Sequence, residues 1–317
     1  MRQAGRYLPE YRELRKKHSM LELIRTPKLA TEVTLQPLRR FDLDGSIIFA
    51  DILNPLIGMG FELDFIDGEG PKIFNKVKNL DDVRALTIPN PRDSVDYTLE
   101  AIDLVSSELN QKNIPLLGFA GAPFTLSAYL VESKAKGFNG VKEFMFNNFE
   151  AWDELQNKLV EYLTEYLVSQ VEAGVSGLQV FDSWLGHLSL SQYQIYVKPY
   201  LEKLFDNLQS RVNVPLVFFG TGINTLFPEI AKLQFDVIGI DWRSDFEVFN
   251  TIFKDKKCIQ GNLDPALLLT DWSHVEKEAK LILDQTKNIP HVFNLGHGIL
   301  PQAKIENVEK LINLIHS

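Results

Sequence analysis

Seven short apolar runs with helix-length stretches between them constrain the fold of this chain more than any other feature. They are SIIFAD (46–51), IPLLGFA (114–120), SGLQVFDS (176–183), VPLVFFG (214–220), FDVIGID (235–241), KCIQGN (257–262) and HVFNLGH (291–297). The runs are nearly continuous in apolar residues rather than alternating, the pattern of parallel strands covered on both faces. Amphipathic helical patterns at 150–173 and 197–211 lie between them, and another helix, 27 to about 36, precedes the first. The later runs start 21 to 38 residues apart, the spacing of βα units. The two earlier gaps are longer. One contains GFELDFIDGEGPKIFN (60–75), which reads as an inserted hairpin, and the other has room for two helices.

Seven strands each followed by a helix fall one short of a closed (β/α)₈ ring, and the place for the eighth is before Arg2. A doubly wound open sheet is the alternative, but it carries a Gly-rich phosphate loop after its first strand, and this sequence has none. No linker rich in Gly, Ser or Pro divides the chain. The expectation is therefore an α/β, single-domain, distorted (β/α)₈ TIM-type barrel over residues 1–317, with its first strand largely absent from this chain.

Composition narrows the function. The formal net charge of −9 argues against a general nucleic-acid binder. No stretch approaches 18 consecutive apolar residues, and the N-terminus is too charged for a signal peptide, so neither a membrane span nor secretion is expected. Cys258 is the only cysteine, which excludes an intramolecular disulfide and Cys-rich zinc sites and points to a reducing, cytoplasmic setting. Six histidines show no metal-ligand spacing, and no metal is expected.

In a barrel the chemistry sits at the C-terminal strand ends. Here those ends carry Asp51, the 119–122 turn, Asp182-Ser183, Gly220-Thr221-Gly222, Asp241, Gly261-Asn262 and Gly296-His297-Gly298. Carboxylates, a hydroxyl and an imidazole converging on one rim suggest an enzyme. The GTG at 220–222 reads as a tight strand-to-loop turn rather than a phosphate loop, and Cys258 as a small core residue. The N-terminal MRQAGRYLPEYR sets Arg2 and Arg6 four apart, but Gly5 and Pro9 argue for a loop. A solvated basic terminus is one reading of it; paired guanidiniums that grip carboxylates are the other.

That dodecapeptide, together with IIFADIL, GFAGAPFTLSAYLVE, FDSWLGHLS, QGNLDP and NLGHGILP in order, resembles the uroporphyrinogen decarboxylase family from residue 1 to about 312. The resemblance implies a homodimer with no metal or organic cofactor, acting on the four acetate side chains of uroporphyrinogen III to give coproporphyrinogen III. It places Arg2 and Arg6 on substrate carboxylates and Asp51 at the pyrrole NH groups. Tyr129 and Ser183 fall near the reacting acetate, His297 on substrate, and Gln3, Phe119 and Phe181 at neighbouring pocket positions. Arg2, Asp51 and Tyr129 are the candidate catalytic residues. Family members usually carry a further stretch upstream of the MRQAGR block that includes most of the first strand.

Each assignment has a plainer counterpart. Asp51 could cap the turn after its strand, Ser183 the next helix, and His297 could be a buried, satisfied imidazole. Its flanking glycines would let backbone approach a ligand. Tyr129, close to a helix start, could be core packing. Phe49, Phe119, Phe124 and Phe181 are candidates for apolar walls or for core. Two rivals remain. Zinc-dependent methyltransferases on a similar barrel need an H-x-C pair, which Lys256 before Cys258 does not supply. A non-catalytic tetrapyrrole binder would keep the barrel without turnover.

Overall fold

The computed structural model describes residues 5–66, 70–133, 137–253 and 257–317. Its strands are β1 (Ser46–Ile47), β2 (Leu63–Ile66), β3 (Gly70–Ile73), β4 (Leu116–Gly121), β5 (Gly177–Asp182), β6 (Leu216–Gly220), β7 (Val237–Gly239), β8 (Cys258–Leu263) and β9 (His291–Leu295). Seven of them form one parallel sheet in the order β1-β4-β5-β6-β7-β8-β9. β2 and β3 pair antiparallel as the separate hairpin expected at 60–75. The sheet curls into a half-barrel, a distorted form of the expected architecture. β1 and β9 stand at the two ends of the strand order, with a groove of about 1690 Å³ between them that reaches the helix Ile305–Ile315. Among the described residues, no helix is long and apolar enough to cross a membrane.

Helices cover the outer face of the sheet because their apolar stripes match it. The helix Phe149–Glu172 buries Trp152, Leu155, Leu159, Leu163 and Tyr166, steps of three and four that keep to one side. Lys198–Arg211 does the same with Tyr200, Leu201, Leu204, Phe205 and Leu208.

The largest departure from the sequence reading lies at β1. SIIFAD reads as a six-residue strand, yet only Ser46 and Ile47 pair in register, with Leu116 and Leu117, and Ile48 adds one bond from its N–H to the Leu117 carbonyl. Two side chains end the ladder there. Phe49 N–H donates to Thr34 Oγ1 at 2.9 Å. On β4, Phe119 N–H donates to Gln170 Oε1 and Gln170 Nε2 donates to the Phe119 carbonyl, both at 2.9 Å. A buried peptide group must find partners, and a carboxamide offers a donor and an acceptor in one plane. Gln170 therefore stands in for the strand partner at Phe119, and residues 49–51 continue outside the ladder. Gly118 is required beside it, since a Cβ there would lie 2.3 Å from Gln170 Oε1.

Gln170→Leu leaves a buried N–H and C=O unpaired, at about 1–3 kcal/mol each. We expect the variant to lose about 2–6 kcal/mol in urea unfolding. An unchanged midpoint would mean that Phe119 is held by something else.

The loop reading of the N-terminal block holds from Gly5 through Leu8. Pro9, however, begins the helix Pro9–Lys17 rather than extending the loop, because its fixed φ and missing N–H suit a first turn. Gly5 lies under Leu8, whose Cγ would be 2.5 Å from an added Cβ. A solvated terminus is not what these residues form. Tyr7, Leu8 and Tyr11 are buried, Tyr7 stacking on Phe41 at 6.4 Å and Tyr11 meeting the edge of Phe49 at 6.3 Å. Arg2 and Gln3 lie outside the described residues. Cys258 is only half-buried at the start of β8, where burial raises its thiol pKa.

Candidate active site

A cleft of about 920 Å³ opens at the C-terminal ends of β1, β4, β5 and β6 and beside the loop after β9. Its polar lining includes Arg6, Asp51, Ser183 and His297, and its apolar walls include Phe49, Phe119, Phe181 and Phe219. The aromatic wall follows from register. Phe119 meets Phe181 edge-on at 5.5 Å, and Phe181, paired with Phe219 across β5 and β6, meets it at 5.7 Å. Inward-facing positions on adjacent strands stack in this way.

Asp51 does two jobs. Its Oδ1 accepts from Leu53 N–H at 2.9 Å and its carbonyl from Asn54 N–H at 3.1 Å, which turns the chain into the helix Asn54–Gly58. The same side chain borders the cleft. Arg6 reaches the cleft from the loop before Pro9, and Arg12 fixes that loop. Arg12 Nε donates to the Arg6 carbonyl at 3.1 Å and its Nη2 to the Pro301 carbonyl at 2.7 Å, so the N-terminal block is tied to the chain after β9. Arg39 and Arg40 pair instead with Glu32 and Glu10.

His297 is exposed on the rim rather than buried. Its ring lies 6.2 Å from Phe219 and 6.4 Å from Trp242. The flanking glycines differ in role. Gly298 borders the cleft, but Gly296 packs on protein, where a Cβ would stand 2.5 Å from Trp242 N. Ser183 lines the cleft and caps no helix, while its carbonyl accepts from the Thr221 hydroxyl.

Several expected residues are not brought together. Tyr129 lies late in the helix Pro123–Glu132, half-buried with its ring 6.4 Å from Trp184, and the cleft lining does not include it. Phe124 is core, packed against Trp152 at 6.3 Å. Asp182 points away from the cleft. Its Oδ1 accepts from the Thr125 hydroxyl at 2.6 Å, its Oδ2 has no partner among the described residues, and burial pushes its carboxyl up to about 7. Asp241 is buried as well, accepting from Gly222 N–H at 2.7 Å and from Arg243 N–H at 3.0 Å and Nε at 2.9 Å. This explains GTG as a turn, with Gly222 at φ +65. Phe219 and Arg12 were not singled out from sequence. Finding Phe219 needs the β5–β6 register, and finding Arg12 needs the long-range contact to Pro301.

The sequence profile described as "Uroporphyrinogen decarboxylase (URO-D)" matches residues 1–317. The chain belongs to the uroporphyrinogen decarboxylase family. Curated relatives with that name include one from Roseiflexus sp. (strain RS-1), 42% identical over all of this chain and 92% of the relative. Another, from Carboxydothermus hydrogenoformans, is 43% identical over all of this chain and 90% of its own length. Among solved structures, a methyltransferase from Methanosarcina mazei superposes with a TM-score of 0.78 at 19% identity, covering 92% of this chain and 85% of that one. That likeness concerns the fold.

Proposed function

We infer that this chain is a carboxy-lyase that removes CO₂ from the four acetate side chains of uroporphyrinogen III, giving coproporphyrinogen III in tetrapyrrole biosynthesis. Family membership supports the reaction. The observation that carries the site is that Asp51, the one carboxylate among the described lining residues, borders an aromatic-walled cleft with a guanidinium, a hydroxyl and an imidazole on its rim.

Loss of CO₂ from a pyrrole acetate needs somewhere for the electron pair to go. Protonating the pyrrole α-carbon makes a cationic ring that accepts it. CO₂ leaves, the exocyclic methylene takes a proton to become methyl, and the ring proton departs. For each acetate, one proton is consumed and one CO₂ is released. The protein must therefore hold a polyanion, stabilise a transient cation and keep bulk water away.

Asp51 suits the second task. A carboxylate about 4 Å from a unit positive charge gains roughly 4 kcal/mol at an effective dielectric of about 20, about a thousandfold in rate if gained only in the transition state. Its Leu53 hydrogen bond fixes one oxygen in advance, so little reorganisation accompanies the reaction. Arg6, with Arg2 from the same sequence block, and His297 bind carboxylates, and Gln3 takes a neighbouring pocket position. Ser183 sits near the reacting acetate, and Phe119 and Phe181 clasp the macrocycle. The resemblance adds a cytoplasmic homodimer, which sedimentation equilibrium tests.

Anaerobic incubation with uroporphyrinogen tests the reading, with coproporphyrinogen as the expected product. Chelators should leave the rate unchanged, and loss of activity restored by one added metal would overturn that expectation. Tight binding without product would instead make the chain a tetrapyrrole carrier.

A further inference from the structure

The substrate of the proposed reaction carries four acetates and four propionates, while the protein itself has a net charge of −9. Binding therefore depends on cationic groups placed locally. The described cleft lining supplies one guanidinium, that of Arg6, and, as a hydrogen-bonding group, the imidazole of His297. A further guanidinium, that of Arg243, is held on the same rim, in the loop after β7.

Its surroundings fix it in place. Nε donates to Asp241 Oδ2 at 2.9 Å and Nη2 makes a second bond to the same oxygen, while Nη1 donates to no described group. Asp241 is fully buried and the Arg243 side chain is half-exposed. The loop itself is pinned from both sides. Asn224 Nδ2 donates to the Arg243 carbonyl, and Asn262 Nδ2 to the carbonyls of Asp241 and Ser244, each at 3.0 Å. The guanidinium lies over Gly222, where a Cβ would stand 3.4 Å from Nη2. Its Cζ is also 5.2 Å from the centre of the Trp242 ring, 42% of which residue is exposed. That ring meets His297 at 6.4 Å, and Gly296 packs on Trp242 N. Arg243, Trp242 and His297 thus form a continuous line from the loop after β7 to the cleft.

We propose that Arg243 is a further carboxylate-binding group of the substrate site, presented by Asp241 and linked to His297 through Trp242. The proposal rests on the decarboxylase reading. An orphan guanidinium N–H on a fixed, half-exposed fork is suited to a carboxylate. A group bound there is remote from the reacting carbon, so the contact acts equally on ground and transition states and raises affinity rather than turnover.

Steady-state kinetics of the whole protein test this. Arg243→Gln should raise KM for uroporphyrinogen about tenfold with kcat within about twofold, and should flatten the rise of KM with salt; one charge-assisted hydrogen bond is of that order. Arg243→Lys, which keeps the charge without the fork, should fall between. Coproporphyrinogen as a competitive inhibitor separates the two carboxylate types. Inhibition weakened in parallel places a propionate on Arg243, and inhibition unchanged places an acetate there. Because Arg243→Gln leaves the Asp241 carboxylate buried without its partner, Arg243→Gln with Asp241→Asn serves if the single variant does not fold. A folded variant with the parent's KM and salt dependence would overturn the proposal. No turnover by the parent would overturn the decarboxylase reading instead.

Discussion

Asp51→Asn should lower turnover by about a hundredfold or more and leave the protein folded. The structure sharpens why these two effects separate. The carboxamide oxygen can still accept from Leu53 N–H, so the turn into Asn54–Gly58 keeps its anchor. Only the negative charge facing the cleft is lost, and on the estimate of roughly 4 kcal/mol for a nearby ring cation that charge carries the rate effect. Asp51→Glu keeps the charge but moves it by about one methylene, and it too should lose activity, through misplacement. Turnover and melting temperature of both variants and the parent decide the matter. Normal turnover by a folded Asp51→Asn protein would remove the ring-cation role, and an unfolded variant would mean that the turn anchor is the main role of Asp51.

Asp182→Asn should change how stability depends on pH. Burial raises the Asp182 carboxyl from 3.8 to about 7 in the folded protein. Between those values the native state binds the extra proton, so stability falls as pH rises from about 4 and levels off above about 7. A shift of that size corresponds to roughly 4 kcal/mol. Asn keeps an acceptor for the Thr125 hydroxyl and has no charge to bury. Its unpartnered N–H₂ costs about 1–3 kcal/mol, but that cost does not vary with pH. The stability difference between variant and parent should therefore move in the variant's favour by roughly 2–3 kcal/mol between pH 5 and pH 8. Urea unfolding at the two pH values measures it. Parallel curves for the two proteins would show that Asp182 is not the titrating group.

The fold was legible in the sequence wherever burial on both faces wrote itself as a continuous apolar run. β4, β5, β6, β8 and β9 fall within or one residue beyond the runs that announced them. β1 was not legible to its end, because the residues that terminate it, Thr34 and Gln170, belong to helices distant in sequence. Nothing in SIIFAD says that its last residues leave the sheet.

The site was legible residue by residue but not in its grouping. Asp51, Ser183 and His297 sit at the cleft as strand-end logic implies. Asp182 and Asp241 occupy equivalent strand-end positions and turn away, one toward Thr125 and the other toward Gly222 and Arg243. Direction at a strand end depends on the parity of the last paired residue, and composition does not encode that. The aromatic wall had the same limit, as Phe219 joins Phe181 only through the β5–β6 register.

The most direct test of the account is the amount of CO₂ released per macrocycle. The purified protein is incubated anaerobically with a limiting amount of reduced uroporphyrinogen III, and CO₂ and porphyrinogen products are quantified together. We predict four CO₂ for each macrocycle consumed and coproporphyrinogen III as the final product. Unchanged uroporphyrinogen with no CO₂, from folded protein, would contradict the assignment.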